Sequence, residues 1–187
     1  KKKKTAVQKT FTSSGTTGQT TSKHFVTDLS VYEESFQLAF DSFYGKVENY
    51  VVLALLPSYL ERDGSSLIYM ADTLIKQSKQ PESGFYLNNL EALKNTLLTL
   101  ESDNRKVLLI GVSFALLDLV AHHQFKLKNT IIMETGGMKG RRKELIRKEL
   151  HDLLKDGFGV DKIHSEYGMT ELLSQAYSKG YGIFFFF

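Results

Sequence analysis

Past residue 26 the chain alternates short, nearly continuous apolar runs with longer stretches whose apolar side chains recur every three or four positions. The first kind suits strands buried on both faces, and the second suits helices with one face on a core. Strands are expected at 51–56, where Pro57 stops the run, at 106–110, at 130–133 and near 160–164. Between them, helices are expected at 30–44, at 65–77, at 88–100 and at 113–122. Ser30 with Glu33 reads as a capping box for the first, and Gly45 as its stop. Leu90, Leu93, Leu97 and Leu100 form the stripe of the third. A helix over 141–155 carries Ile146, Leu150, Leu153 and Leu154 as its core face, and a short helix is expected from Thr170. No internal repeat is visible. Strands joined by helices predict an α/β domain, a largely parallel sheet flanked by helices, with ligands gathering at the carboxyl ends of its strands.

With 187 residues, 42% of them hydrophobic, the chain is long enough to bury one sizeable core. The net charge of +3 misleads, because Lys1, Lys2, Lys3, Lys4 and Lys9 supply five positive charges before residue 11, with no acid among those residues. The rest of the chain is slightly acidic, which argues against a nucleic-acid surface. Residues 1–10 therefore read as a basic tail and 11–183 as the domain. The four opening lysines and the closing Phe184, Phe185, Phe186 and Phe187 read as the ends of a fragment. The absence of cysteine excludes disulfides, thiolate metal sites and a cysteine nucleophile within this chain. With no apolar run long enough to span a membrane and no apolar stretch after the basic start, the expected location is cytoplasmic.

Three segments carry chemistry. Thr12, Ser13, Ser14, Gly15, Thr16, Thr17 and Gly18 form a loop made only of glycine and small hydroxyl residues, which can surround phosphate oxygens with backbone N–H groups and hydroxyls. It lacks the Gly-Lys-Ser/Thr ending of a Walker loop, and its composition also suits a flexible linker. Glu134-Thr135-Gly136-Gly137 follows a predicted strand; two glycines there allow a flat base to lie against backbone, or simply make a tight turn. Glu166-Tyr167-Gly168-Met169-Thr170-Glu171 offers an aromatic ring, a hydroxyl and two carboxylates. A carboxylate there can hold magnesium and Thr170 can meet a phosphate, or Thr170 can cap a helix whose dipole Glu171 offsets.

In this order, these strings resemble the superfamily of adenylate-forming enzymes, the acyl-CoA synthetases, luciferases and their relatives. Phe11 to Gly18, Leu56-Pro57-Ser58-Tyr59 and Glu134 to Arg142 are similar to the acyl-protein synthetase branch, which includes the fatty-acid-activating component of the bacterial bioluminescence reductase complex. The resemblance spans about residues 11–177. It implies the core of the large N-terminal domain of an enzyme that uses ATP to activate a carboxylic acid, a fatty acid in this branch, as an acyl-adenylate for transfer to a protein or thiol. By the same resemblance, Thr12 to Gly18 handle the phosphates, Gly136 and Gly137 border the adenine and Tyr167 lies against it. Thr170 touches the α-phosphate and Glu171 binds magnesium. Ser58 and Tyr59, with Ser113 and Phe114, would line the acyl pocket. Expected partners are a small carboxylic acid and an acyl-accepting protein or a reductase.

The chain departs from the family at several points. Gln19-Thr20-Thr21-Ser22-Lys23-His24 replaces the usual Pro-Lys-Gly, no Thr-Gly-Asp follows Glu171, and the small C-terminal domain with its lysine is missing. The cysteine that carries the acyl group in this branch is also absent. Two other functions stay open: acyl transfer without adenylation, and a non-catalytic nucleotide-binding or scaffold relative. His122 and His123 read as helix-end residues rather than ligands, and His24 and His164 as packed or site-proximal histidines. Lys139, Arg141, Arg142, Lys143, Arg147 and Lys148 read as a solvated helix face, with Glu144 pairing Lys148.

Overall fold

A computed structural model of the chain describes residues 6–12, 22–56, 64–87, 89–136, 145–180 and 182–186, the last by its backbone alone. Nine strands and five helices alternate through them: β1 (Lys9–Thr12), β2 (Lys23–Val26), α1 (Leu29–Tyr44), β3 (Val51–Leu55), α2 (Ser66–Ser78), β4 (Gly84–Phe85), α3 (Leu90–Ser102), β5 (Val107–Gly111), α4 (Ser113–His122), β6 (Thr130–Glu134), α5 (Arg147–Phe158), β7 (His164–Met169), β8 (Ser174–Ser178) and β9 (Phe185–Phe186). β1 and β2 pair antiparallel as a separate ribbon. The other seven form one sheet in the order β4-β3-β5-β6-β7-β8-β9. Its first five strands are parallel, and β8 and β9 extend it antiparallel.

The expected α/β class, a mostly parallel sheet flanked by helices, is what the chain adopts. Every residue of β3 and β5 is buried, as strands covered on both faces require. Chain order and spatial order diverge around β3, which lies between β4 and β5, so successive crossovers run in opposite directions from that point. In such sheets the carboxyl ends of the strands form the ligand-bearing edge. Among the described residues no helix is long and apolar enough to cross a membrane.

Several local expectations are corrected. α1 is capped by Asp28, whose carboxylate accepts from Ser30 N–H at 3.1 Å, so Ser30 and Glu33 do not form a capping box. The Glu33 carboxylate instead accepts from the Tyr69 hydroxyl of α2. In α5, Ile146 precedes the helix and is exposed, as is Leu153, because only Leu150, Leu154, Gly157 and Phe158 face inward. Lys148 pairs with Asp152 at 2.8 Å, and Glu144, expected to pair with it, lies outside the described residues with Lys139, Arg141, Arg142 and Lys143. β7 begins where the predicted strand ended, and no α-helix starts at Thr170. A single 3-10 turn (Thr170–Leu172) leads to Leu173 in left-handed backbone, φ 48°, and then to β8. Lys9 and Thr10, read as tail, belong to β1, and Phe185 forms part of the edge strand beside Phe43.

The ribbon of β1 and β2 docks through Phe11, fully buried, with its ring 5.3 Å from Tyr32 of α1 and 5.8 Å from Tyr69 of α2. Thr12 is fixed by its N–H, which donates to Gly64 O at 2.9 Å. The start of the hydroxyl-rich loop is thereby delivered to the carboxyl edge of the sheet.

Close helix packing gives a test of this arrangement. A Cβ on Gly157 would stand 2.4 Å from Val120 Cβ of α4. Glycine in a helix is normally worth about 0.5–1 kcal/mol less than alanine. Here the overpacking cost of about 1–3 kcal/mol wins. Urea unfolding should find Gly157→Ala less stable than wild type. A more stable Gly157→Ala protein would refute this α4–α5 packing.

Candidate functional site

The site is a cavity of about 160 Å³ at the carboxyl edge, bounded by Thr12, by Ser65, Ser66 and Leu67 at the start of α2, by Thr135 after β6, and by Glu166, Tyr167, Gly168 and Thr170 of β7 and its following turn. Three strings far apart in sequence therefore meet around one space. Ser65 caps α2 by accepting from Ile68 N–H, and the first N–H groups of this 13-residue helix face the same region. Free N–H groups and the positive end of the helix dipole favour an anion there.

Thr170 turns its hydroxyl to Ser66 Oγ at 2.9 Å. Met169 occupies the cap position of the turn and Thr170 is its first residue, so capping does not explain Thr170. Tyr167 is 57% exposed, its ring 6.4 Å edge-on to that of Phe184. Glu171 is exposed on the 3-10 turn and does not border the cavity. Gly136 has φ 73°, a left-handed backbone that accounts for glycine there by itself. Its N–H donates to Glu134 Oε2 at 2.7 Å and its carbonyl accepts from Ser113 N–H at 2.7 Å. Ser113 and Phe114 are buried under the edge and do not border the cavity. Ser13, Ser14, Gly15, Thr16, Thr17, Gly18, Ser58, Tyr59 and Gly137 lie outside the described residues.

Behind the cavity lies a buried polar cluster that joins the leading carboxylates of two of the strings, a pairing that pattern reading did not foresee. Glu134 and Glu166 are 4% and 5% exposed. Glu134 receives Gly136 N–H, the Ser113 hydroxyl at 3.3 Å on Oε2 and the His151 ring, whose Nε2 stands 3.5 Å from Oε1. Burial alone would raise its pKa, but His151, the nearby Ser165 hydroxyl and Gly136 N–H outweigh that and hold it below the ordinary carboxylate value. Glu166 has the opposite surroundings. Burial first, then the charge of Glu134, push it up to about 8, against a smaller lowering by Gln175. The pair thus shares its ionisation unequally, with Glu134 charged and Glu166 protonated at neutral pH.

Buried polar atoms are normally hydrogen-bonded, so those that are not point to something absent. Thr135 Oγ1, His151 Nε2, Ser165 Oγ, Glu166 Oε1 and Gln175 Oε1 are buried without a well-formed hydrogen bond. These five lie at or just behind the carboxyl edge, around β6, β7, β8 and the facing side of α5, while a sixth such atom, Thr130 Oγ1, belongs to the amino edge. A larger cavity of about 540 Å³ opens at the opposite, amino edge between Tyr50, Lys106, Lys128, Lys162 and His164. His164 belongs to that edge, with Nδ1 3.2 Å from the Tyr44 hydroxyl, and its position there corrects its expected proximity to the Glu166 segment. Size favours the amino edge, but the convergence of the three strings and of the unpaired polar atoms favours the smaller space.

Compared with protein-family models, curated proteins and solved structures, the chain matches none. The site must be read from its own residues. Ser66, Glu134, His151, Glu166 and Gln175 are its unforeseen members. Only Glu134 and Glu166 left a trace in the sequence, each as the carboxylate that opens one of the strings.

His122 and His123 do what helix-end histidines commonly do. His122 Nδ1 is 2.8 Å from Asp118 O, and His123 Nε2 is 3.3 Å from Glu91 Oε1. Among the described residues no group of three or more His, Asp or Glu side chains is arranged to hold a metal ion.

The unequal pair predicts a pH dependence of stability. A carboxyl raised in the folded state from its ordinary 4.5 to about 8 makes the folded chain bind more protons than the unfolded one between those values. Stability therefore falls with rising pH across that window and levels off above it. Glu166→Gln removes this contribution. Its unfolding free energy relative to wild type should rise as pH goes from about 5 to about 8 and then stay flat, as read by denaturant titrations at several pH values. A difference independent of pH would refute the buried, protonated Glu166.

Proposed function

We propose that the chain binds ATP at the carboxyl edge of its sheet and activates a carboxylic acid, of the fatty-acid class, as its acyl-adenylate for a protein or thiol acceptor. The observation that carries this reading is the meeting of Thr12, Thr135 and the Tyr167–Thr170 segment around one cavity beside the amino end of α2. The resemblance of the same three strings to adenylate-forming enzymes assigns them to phosphate, adenine and α-phosphate, and their spatial convergence supports that division of labour.

In this reading, the first N–H groups of α2 and the hydroxyls of Ser66 and Thr170, 2.9 Å apart, receive phosphate oxygens. The exposed Tyr167 ring offers a flat face for the base. Acid attack at the α-phosphorus, with pyrophosphate leaving, needs alignment and neutralisation of moving charge more than covalent help from the protein. Magnesium takes one or two carboxylates together with substrate phosphates. The single exposed carboxylate of Glu171, next to Thr170, fits an ion that arrives with the nucleotide. When bound, that ion would neutralise phosphate charge.

Acyl transfer without adenylation gains no support from the buried cluster. Ser113 and His151 both contact Glu134, giving the order Ser–Glu–His. A serine nucleophile needs histidine against its hydroxyl, with the acid behind.

Calorimetry of ATP with magnesium should detect binding by the wild-type chain. Thr170→Val should weaken it by about 1.5–3 kcal/mol, the scale of a lost hydrogen bond to a charged oxygen. Glu171→Gln should weaken binding only when magnesium is present. A companion hydroxylamine trap should capture the fatty acyl group in an ATP-dependent way. A folded wild type that binds no nucleotide would defeat the proposal and leave the scaffold reading.

A further inference from the structure

We propose that Glu166 is the residue through which this cavity selects an anionic oxygen: in its neutral form it donates its carboxyl proton in a hydrogen bond to a phosphate or carboxylate oxygen of the ligand. The inference rests on reading the cavity as the nucleotide and acid site, and goes further by assigning the charge of what it accepts to one side chain.

Position comes first. Glu166 borders the cavity, is 5% exposed, and its Oε1 makes no well-formed hydrogen bond, Gln175 being the side chain that approaches the carboxyl as a donor. Gly168, two residues on, leaves the approach to that oxygen clear. A Cβ there would stand 3.1 Å from Glu166 Oε1 and 3.3 Å from Gln175 Nε2. The backbone of Gly168 has no left-handed φ that would demand glycine for itself, so the clearance is what the missing side chain provides.

The surroundings then decide the protonation state. α1 contributes the Tyr32 phenol, β6 the Glu134 carboxylate, and β8 Gln175 and the Tyr177 phenol; His151 of α5 stands against Glu134. Burial raises both phenols above their ordinary range, so they stay neutral through pH 9. The donors of the β6 exit thus converge on Glu134, whose charge disfavours a second carboxylate. An ionised Glu166 would repel an incoming anion. A protonated one gives that anion a donor in a desolvated site, where such a bond is strong.

The test uses AMP and octanoate as separate probes of the full chain. Infrared difference spectra of wild type against Glu166→Gln should show a protonated carboxyl band at pH 7 that disappears above about pH 8. Calorimetry should show wild-type affinity falling about tenfold from pH 7 to pH 9, because only about a tenth of the molecules then carry the proton. Binding at pH 9 should take up close to one proton, seen by varying the buffer's ionisation enthalpy. Glu166→Gln, still a neutral donor, should bind within about threefold of wild type at pH 7 and lose the pH step. Gly168→Ala should weaken binding while keeping the carboxyl band. The probe that shows the pH step identifies the oxygen as phosphate or carboxylate. An ionised Glu166 at pH 7, or binding that is flat with pH and unchanged in Glu166→Gln, overturns this inference and leaves the nucleotide reading standing. A folded chain that binds neither probe at any pH, with the carboxyl band present, overturns both.

Discussion

The cavity exists because Tyr32 ties together elements that nothing local would bring near one another. Its side chain is almost fully buried in α1, and its ring packs 5.3 Å from Phe11, 5.1 Å from Phe36 and 6.1 Å from Tyr69. Its hydroxyl donates to Ser66 O at 3.2 Å and accepts from Gln175 Nε2 at 2.9 Å, across 34 and 143 residues of chain. Each such contact is modest, about 0.5–1.5 kcal/mol for a hydrogen bond or an aromatic pair. Their importance lies in what they position. Phe11 delivers Thr12, Ser66 is itself a wall of the cavity, and Gln175 is the strand partner of Gly168. Burial also keeps the phenol un-ionised, so it remains a donor to Ser66 O.

Around that frame the charges are arranged asymmetrically. Two carboxylates buried side by side would each strongly disfavour the other's ionisation. The chain resolves the conflict by supplying most of its donors to one of them. Gly136 N–H, Ser113 and His151 converge on Glu134, while Glu166 keeps an unpaired oxygen beside the cavity. Gly136 is therefore more than a turn residue: its left-handed backbone aims the N–H that helps keep Glu134 charged. The protonation state of the cavity wall follows from the geometry of the β6 exit.

What the sequence made legible, and what it hid, follows the same physics. The apolar runs of β3, β5 and β6 and the helices between them were readable because strands buried on both faces must be apolar, whatever lies around them. The ends of α1 and α2 were readable to within a residue or two because Gly45 and Ser65 are local signals. β8 was not, because Ser174-Gln175-Ala176-Tyr177-Ser178 buries polar side chains whose partners lie in Tyr32 and in the loop at Gly180. The ribbon of β1 and β2 was hidden likewise, since Phe11 is its main apolar anchor. The strings bordering the cavity could be found as strings. The Glu134–Glu166 pair could not, because it is made by the register that sets Glu134 beside Ser165.

The correction at Thr170 changes the physical basis of anion recognition. A helix beginning there would have supplied a dipole and free N–H groups of its own, with Thr170 as cap and Glu171 as its favourable first-turn acid. The segment instead leaves β7 through a single 3-10 turn, too short to supply an appreciable dipole. The helix terminus that borders the cavity belongs to α2, which starts 104 residues earlier than its contact at Thr170. Its Ser65 occupies the capping role, and Ser66 then offers a hydroxyl that Thr170 holds in place. The positive end of a helix and the Tyr-Gly-Met-Thr-Glu string thus act on the same space from opposite sides. In the proposed reading, recognition of an anion there depends on their registration through Tyr32 and Ser66 more than on either alone.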